Sequence, residues 1–461
     1  MEGARKLLIA WAGLLALVGP GCQQARSPGT DVLLICVDTL RPDHLGLYGY
    51  TRVTSPGLER WLSQGLIFET AYSTEASTPP SVISILSGQL PQEHGVRGFW
   101  QLLPEDVLLL PDLLPPAYQT AAVISNTVLT DEALGIADRF DHYDDFVDEI
   151  ESKRRIWERR ASRTTDAAVR WLSESRDPDR PLFLWVHYID PHGPYHPPAD
   201  KPRAFRHEAR IPLERSRMSG YQIDPGIDDA LHYRDRYDEE IAYTDAQIDR
   251  LLEAYSAQAS LDDALVIFVA DHGESMMEHE RWFTHGYHVY DEIVRVPLLL
   301  QGPGLSPGRV TTPASIIDIL PTILRFAGAA TPEYLAGMDL RDREQRGRAR
   351  PLFIEANQDA FQWRAVVESG GKWIARYAPG SAKPKARFFY DLLQDPHELR
   401  PRPWPPEREG GRSLLNQARR DRHLGEGNAT RRTGRKLKGP KIDPRADPAA
   451  LERLRALGYL E

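Results

Sequence analysis

Val32-Leu33-Leu34-Ile35-Cys36-Val37 runs without a charged side chain and stops at Asp38. A short continuous apolar run bounded by a polar residue reads as a strand buried on both faces, the pattern of a parallel sheet covered by helices. Ala264 to Ala270 repeats it and stops at Asp271. Pro181 to Val186 stops at His187, and Thr120 to Ile124 stops at Ser125-Asn126. Ligands of parallel α/β sheets gather outside the carboxyl ends of the strands, so four such runs predict one crevice that collects these polar residues.

Helical patterns separate the runs. Tyr237, Ile241, Thr244, Ile248, Leu251 and Tyr255 step along one face, and Ser162 to Ser173 and Ala314 to Ala327 look similar. The alternation predicts an α/β fold with a doubly wound, mostly parallel sheet flanked by helices. After about Asp342 the character changes. Leu352 to Glu355, Ala365 to Val367, Lys372 to Ala375 and Phe388 to Tyr390 read as a small C-terminal antiparallel sheet. Residues 400–441 are rich in Arg, Pro and Gly and read as a loop, whose basic run from Arg431 to Lys441 could meet an anionic surface but reads better as solvated, and Leu451 to Leu460 has the spacing of a terminal helix.

The chain has 461 residues, 57 Lys and Arg against 66 Asp and Glu, and a formal charge of −9. That length can bury a large core, and that charge gives no support to nucleic-acid binding. Arg5 and Lys6 precede an apolar stretch from Leu7 to Val18 that is short for a bilayer span, so residues 1–22 read as a secretory signal. Cys22 resembles the acylated cysteine of a bacterial lipoprotein, although Gly19 stands where a leucine is usual. Residues 23–30 read as a polar tether. The expectation is a secreted or periplasmic protein, with Cys22 as its lipid attachment to a membrane. Cys36 is then the sole cysteine of the body, which rules out a disulfide within it; its apolar neighbours make it a small buried strand residue.

Thr78-Pro79-Pro80-Ser81-Val82-Ile83-Ser84-Ile85-Leu86-Ser87-Gly88, followed by His94-Gly95-Val96, carries a resemblance to a known family. It resembles the sulfatase motif C/S-x-P-S-R-x-x-L-L-T-G, with Leu86-Ser87-Gly88 setting the register. Asp38-Thr39-Leu40-Arg41-Pro42-Asp43-His44, Asp271-His272-Gly273-Glu274 and Tyr390-Asp391-Leu392 extend the resemblance over residues 31–342 and into a C-terminal part, residues 343–461. The chain is therefore similar to sulfatases of the alkaline phosphatase superfamily, and the resemblance implies an alkaline phosphatase-like fold and an ester hydrolase.

The nucleophile position departs from the sulfatase rule. Thr78 stands where sulfatases carry the cysteine or serine that is oxidised to an aldehyde. Threonine is a secondary alcohol, so oxidation could yield only a ketone, which hydrates poorly; no formylglycine is expected. Val82 replaces the motif's arginine, Asp38-Thr39 has one acid where sulfatases have two in tandem, and Ser125-Asn126 stands near the place of a Gly-Lys-Trp-His stretch. Asp38, Thr78, Asp271 and His272 instead resemble the one-metal site of threonine-dependent phosphotransferases in the superfamily. One divalent ion is expected, with an imidazole ligand favouring Mn or Zn over the Ca of sulfatases.

The resemblance further implies that His187 and His285 act in catalysis, at the leaving oxygen and the anionic oxygens. Ser81, Arg97, Asn126 and His192 are expected to line the substrate site, with His279, Glu278, His288, His196 and His94 as weaker candidates. A two-zinc site would need an Asp-x-x-x-His spacing that is missing after Asp190. Thr78 also suits a helix N-cap with proline behind it, and the two roles are compatible. The expected activity is hydrolysis of a sulfuric or phosphoric ester through covalent attack by Thr78. The substrate would be an anionic small molecule, glycan or lipid head group. A cell-envelope phosphotransferase or phosphodiesterase, and a non-catalytic lipoprotein that keeps the fold, are the alternatives.

Overall fold

The computed structural model describes residues 30–199, 203–357, 361–378, 381, 383–405 and 409–421. The expected signal, Cys22, the basic run near residue 435 and the terminal helix at 451–460 lie outside the described residues. Among the described residues no helix is long and apolar enough to cross a membrane.

Eight strands form the main sheet, in the spatial order Gly308–Val310, Leu66–Phe68, Leu298–Gln301, Leu265–Ala270, Val32–Val37, Leu182–Tyr188, Gln119–Val123 and His142–Asp144. The last five are mutually parallel, while Leu298–Gln301 runs against its neighbours. Every residue of the three central strands is buried, as continuous apolar runs require. Val37 pairs with Ala270 on one side and Tyr188 on the other, so Asp38 and Asp271 leave adjacent strands at one level.

Helix Ala230–Ser256 covers the sheet with the predicted face, burying Tyr237, Ile241, Thr244, Ile248, Leu251 and Tyr255. Asp229 starts it by accepting the Leu231 N–H at 3.1 Å. Residues 162–173 lie in helix Ala161–Glu174. The span 314–327 is not one helix. Ala314–Ser315 pairs with Ala71–Tyr72, a 3-10 turn follows, and the helix proper is Ile319–Phe326. Asp318 causes the break, because its carboxylate accepts the Ser315 and Met338 N–H groups at 2.9 and 2.8 Å.

A smaller antiparallel sheet takes Leu352–Ala356, Gln362–Glu368, Gly371–Tyr377 and Pro384–Asp391 in sequence order. One face packs Ile354, Ala365, Val367 and Ile374 on Tyr72, Ala76 and Ile293 of the larger domain. The other is covered by helix Glu409–Arg420, a correction to the solvated loop expected there. Leu414 and Ala418, one helical turn apart, supply its contact with Trp373 and Phe389, a signal hidden among Arg and Gly. Gly410 is required at this contact, since a Cβ would sit 2.5 Å from the Trp373 ring.

Arg97 ties the two parts together and is a second correction. Its guanidinium is paired to Glu355 (2.7 Å) and to Asp421 (2.6 Å) and is nearly buried, so four of its five N–H donors are committed to a structural ion-pair network. Arg97→Met takes the main cationic partner from two buried carboxylates, Glu355 and Asp421, and is expected to destabilise the protein by roughly 3 kcal/mol. A shift of the urea midpoint measures this, and an unchanged midpoint contradicts it.

Burial also sets the pH dependence of stability. It pushes the Asp245 carboxyl up to about 7 despite the Leu58 and Gly57 N–H groups it accepts, and the Glu75 carboxyl up to about 8 despite its Ser77 hydrogen bond. Both groups hold a proton more tightly folded than unfolded. The stability they contribute is whole below their ordinary values of 3.8 and 4.5 and is lost as pH rises through about 7 and 8. The thermal midpoint of metal-free protein is therefore expected to fall between about pH 5 and about pH 8.5. A midpoint that climbs over that interval contradicts this account.

Candidate active site

Thr78 is the first residue of helix Thr78–Ser87, and Ser77, in extended conformation, holds the N-cap position expected for Thr78. The Thr78 Oγ1 lies 3.3 and 3.4 Å from the two Asp38 oxygens and 3.2 Å from His272 Nε2. Asp38, Asp271 and His272 are fully buried, and one ligand atom from each lies within 4.8 Å of the others. No other group of three or more metal-binding side chains gathers this closely among the described residues.

The turns that aim these groups are tightly built. Thr39 takes a positive φ of 56°, costly for a β-branched residue at roughly 1–3 kcal/mol. Tyr237 holds it there, donating its hydroxyl to the Thr39 carbonyl at 2.7 Å and accepting the Arg41 N–H at 3.0 Å. The Asp271 Oδ1 accepts the His272 N–H at 2.8 Å. Gly273 lets this turn press on its neighbour, because a Cβ there would lie 2.4 Å from the Glu292 carbonyl oxygen. Asn126 donates its amide to Asp38 Oδ2 at 2.8 Å, so it orients the carboxylate that faces Thr78.

The arrangement is electrically incomplete. Burial, then Asp271, pushes the Asp38 carboxyl well up. Burial pushes Asp271 up as well, but the imidazoles of His272 and His187 pull it down further, leaving it below the ordinary range. The Asp271 Oδ2 and the His187 Nε2, both buried, have no hydrogen-bond partner among the described residues. Two dry carboxylates, an orphaned oxygen and a facing imidazole are the surroundings that a divalent cation satisfies, so the residues present fit one.

Other candidates divide. His187 lies inside strand Leu182–Tyr188, with Nδ1 3.3 Å from Ser125 Oγ and Nε2 3.8 Å from Asp271 Oδ2. It stands behind the carboxylate, which corrects its expected place at the leaving oxygen. The His285 ring lies 4.4 Å from that of His272 and 4.9 Å from that of His192, with Nδ1 3.1 Å from Glu274 Oε1. Burial, then Arg154, lowers His285 to about 3, and burial with Arg154 and His285 lowers His192 strongly, so both are neutral imidazoles at neutral pH. Ser81 turns away from the crevice, bonding Ser73 Oγ and the Glu75 carbonyl at 2.9 Å each, a further correction. Of the weaker candidates, Glu278 binds Arg41, His279 binds Glu292 and His94 binds Ser84. His288 is buried 3.8 Å from Glu292, and His196 is half-buried 3.9 Å from Asp224.

Sequence reasoning placed Ser125 at the crevice without a role and missed Thr39, Glu274 and Arg154. Arg154 arrives from the hairpin Glu149–Glu151/Ile156–Glu158, pinned by Glu151 and Glu158, and its Nη1 lies 3.0 Å from His192 Nδ1. Nothing local in a short charged hairpin marks it as reaching the crevice.

Residues 30–329 match the model of the sulfatase family. The chain belongs to that family. It is thereby an ester hydrolase, of a family that generally binds a divalent metal. An arylsulfatase of Clostridium perfringens is 25% identical over 441 residues, covering 80% of this chain and 89% of the relative. The fold is shared with a structure in complex with its substrate D-glucosamine-2-N,6-O-disulfate, at TM-score 0.67 and 18% identity over 85% of this chain and 98% of that one. It is also shared with a phosphonate monoester hydrolase from Silicibacter pomeroyi, at TM-score 0.65 and 20% identity over 85% and 94% of the two chains.

Within this sulfatase scaffold the start of the Thr78 helix departs from expectation. A helix N-terminus ordinarily offers backbone N–H groups to an anionic oxygen. Here Pro79 and Pro80 have none, and the Ser81 N–H bonds the Ser77 carbonyl at 3.3 Å. Val82 supplies no charge either. Of the first three helical residues only Thr78 keeps a backbone N–H, so most of the charge on an anion bound here falls to side chains.

Proposed function

We propose that the protein cleaves phosphate mono- or diesters by covalent catalysis at Thr78 and does not use an aldehyde cofactor. The observation that carries the reading is the position of the Thr78 hydroxyl, 3.2–3.4 Å from His272 and Asp38. A divalent ion held by Asp38, Thr78, Asp271 and His272, with Mn or Zn suited to the imidazole ligand, would supply Lewis acidity and lower the hydroxyl pKa.

The chain's own residues supply the rest. Asp38, with its two oxygens 3.3 and 3.4 Å from Oγ1, accepts the Thr78 proton as Oγ1 bonds to phosphorus. The bond from phosphorus to the leaving oxygen breaks, and the leaving oxygen takes a proton from solvent water. Water then attacks phosphorus, giving one proton to solvent, and the Thr78 Oγ1 leaves with the proton that Asp38 held; transfer to an alcohol in place of water gives a phosphotransferase by the same path. His285, packed beside His272, and His192, packed beside His285, line the place for the ester as neutral imidazoles. Asn126 keeps Asp38 aimed by its hydrogen bond, and His187 faces Asp271 at 3.8 Å.

The phosphonate monoester hydrolase among proteins of this fold supports phosphorus as the central atom; the glucosamine disulfate complex supports an anionic glycan among the substrate classes, beside small molecules and lipid head groups. Secretion through residues 1–22, with Cys22 as membrane attachment, belongs to the same reading, because it places the enzyme among envelope esters. The test is a panel of sulfate ester, phosphate monoester and phosphodiester with metal-loaded protein, with intact mass recorded during turnover. Phosphate release with a phosphate adduct on the Thr78 peptide is expected; efficient sulfate release without an adduct refutes it.

A further inference from the structure

Glu75 stands three residues before the nucleophile, wholly buried, and takes no part in the chemistry described above. Its Oε2 accepts the Ser77 hydroxyl at 2.5 Å and its Oε1 accepts the Asn357 N–H at 3.1 Å. Its carbonyl accepts the hydroxyls of Ser73 and Ser81 at 2.8 and 2.9 Å. Backbone bridging joins the same segment to the C-terminal sheet, since Glu75 pairs with Glu355 and the Glu355 N–H bonds the Thr74 carbonyl at 2.9 Å.

Why this attachment exists follows from two prolines. A serine at an N-cap normally accepts the N–H of the second or third helical residue. With Ser77 at the cap, those residues are Pro79 and Pro80, which have no N–H to give, and Ser77 makes no capping bond. The turn that carries Thr78 has therefore lost its usual local anchor, and the Ser77 hydroxyl is turned onto Glu75 instead. Glu75 is held in its turn by strand Leu352–Ala356, whose Glu355 is clamped by Arg97 and by the Asn357 amide at 2.8 Å.

We propose that Glu75 is a positioning residue for the nucleophile: acting through Ser77, it replaces the missing helix cap and lets the C-terminal sheet set the aim of Thr78. This rests on Thr78 being the nucleophile. A misaligned nucleophile loses rate with little loss of binding, and displacement of about 1 Å can cost on the order of 100-fold. Glutamine in place of Glu75 can still accept the Asn357 N–H and can donate to the Ser77 oxygen, so it preserves both links; alanine preserves neither.

Turnover of an aryl phosphate ester that the wild-type enzyme cleaves tests this. Glu75→Ala is expected to lower kcat roughly 10- to 100-fold with KM changed less than about 3-fold, and Glu75→Gln to restore kcat to within about 3-fold of wild type. Ser77→Ala, a change with little volume to lose, is expected to lower kcat about 10-fold, and adding it to Glu75→Ala to cost nothing further. Wild-type kcat in folded Ser77→Ala, or independent multiplication of the two losses, overturns the proposal, and Ser77→Ala decides it if Glu75→Ala does not fold. Thr78→Ala, run beside them, separates the two ideas. Retained activity there sinks the nucleophile and this proposal together, whereas inactivity there with wild-type kcat in Ser77→Ala sinks this one alone.

Discussion

Thr78→Ala is expected to remove ester cleavage almost completely, lowering kcat by on the order of 10⁴-fold or more while the protein stays folded. The magnitude follows from the role: without the hydroxyl no covalent intermediate forms, and the remaining groups can only polarise an ester that water must attack directly. Stability should change little, because Ser77 and not Thr78 holds the cap position and the Thr78 oxygen makes only long contacts of 3.2–3.4 Å. Thr78→Ser offers a sharper comparison. It keeps a nucleophilic oxygen and is expected to retain most of the rate and to form the same adduct. A Thr78→Ala enzyme that turns over near the wild-type rate would show that attack comes from elsewhere.

Asp271→Ala is expected to abolish stoichiometric metal binding and, with it, activity. Asp271 contributes an orphaned buried oxygen, lies at the end of a central strand and faces both His272 and His187, so its loss removes the only carboxylate held below its ordinary range in the cluster. Elemental analysis should show about one Mn or Zn ion per chain in the loaded wild type and close to none in the variant. The readout is independent of turnover. A thermal midpoint that rises with added metal in the wild type and not in the variant gives the same answer by linkage. The metal-free variant should be less stable than metal-free wild type near neutral pH, since a carboxylate held below its ordinary range favours the folded state and its Oδ1 accepts the buried His272 N–H. Metal bound equally well by Asp271→Ala would remove the cluster as the metal site.

How much of this was legible beforehand differs from residue to residue. Asp38, Asp271 and Asn126 each follow an apolar run in the sequence, and a parallel sheet places such residues along one edge. His187 looked the same on paper. It lies one position inside its strand, pairing beside Cys36 in register, which points its ring at Asp271. Arg97 read as an anion binder because its partners, Glu355 and Asp421, are 258 and 324 residues away. Ser81 carried a family motif position, yet its hydroxyl faces a serine and a carbonyl from the preceding turn. Arg154 and Glu75 had no local signature, because their importance comes from what packs on them.

The amino-acid sequence by itself determined the α/β class, the central strands, the long helix and the secondary alcohol at position 78. These follow from the periodicity of apolar side chains and from the covalent chemistry of one residue, both of which are local. Only the tertiary structure decided which acids face one another, which histidine stands behind a carboxylate and which serine hydroxyl is left for Glu75. Those outcomes depend on strand register and on contacts between residues hundreds of positions apart, where a shift of one residue turns a side chain to the opposite face.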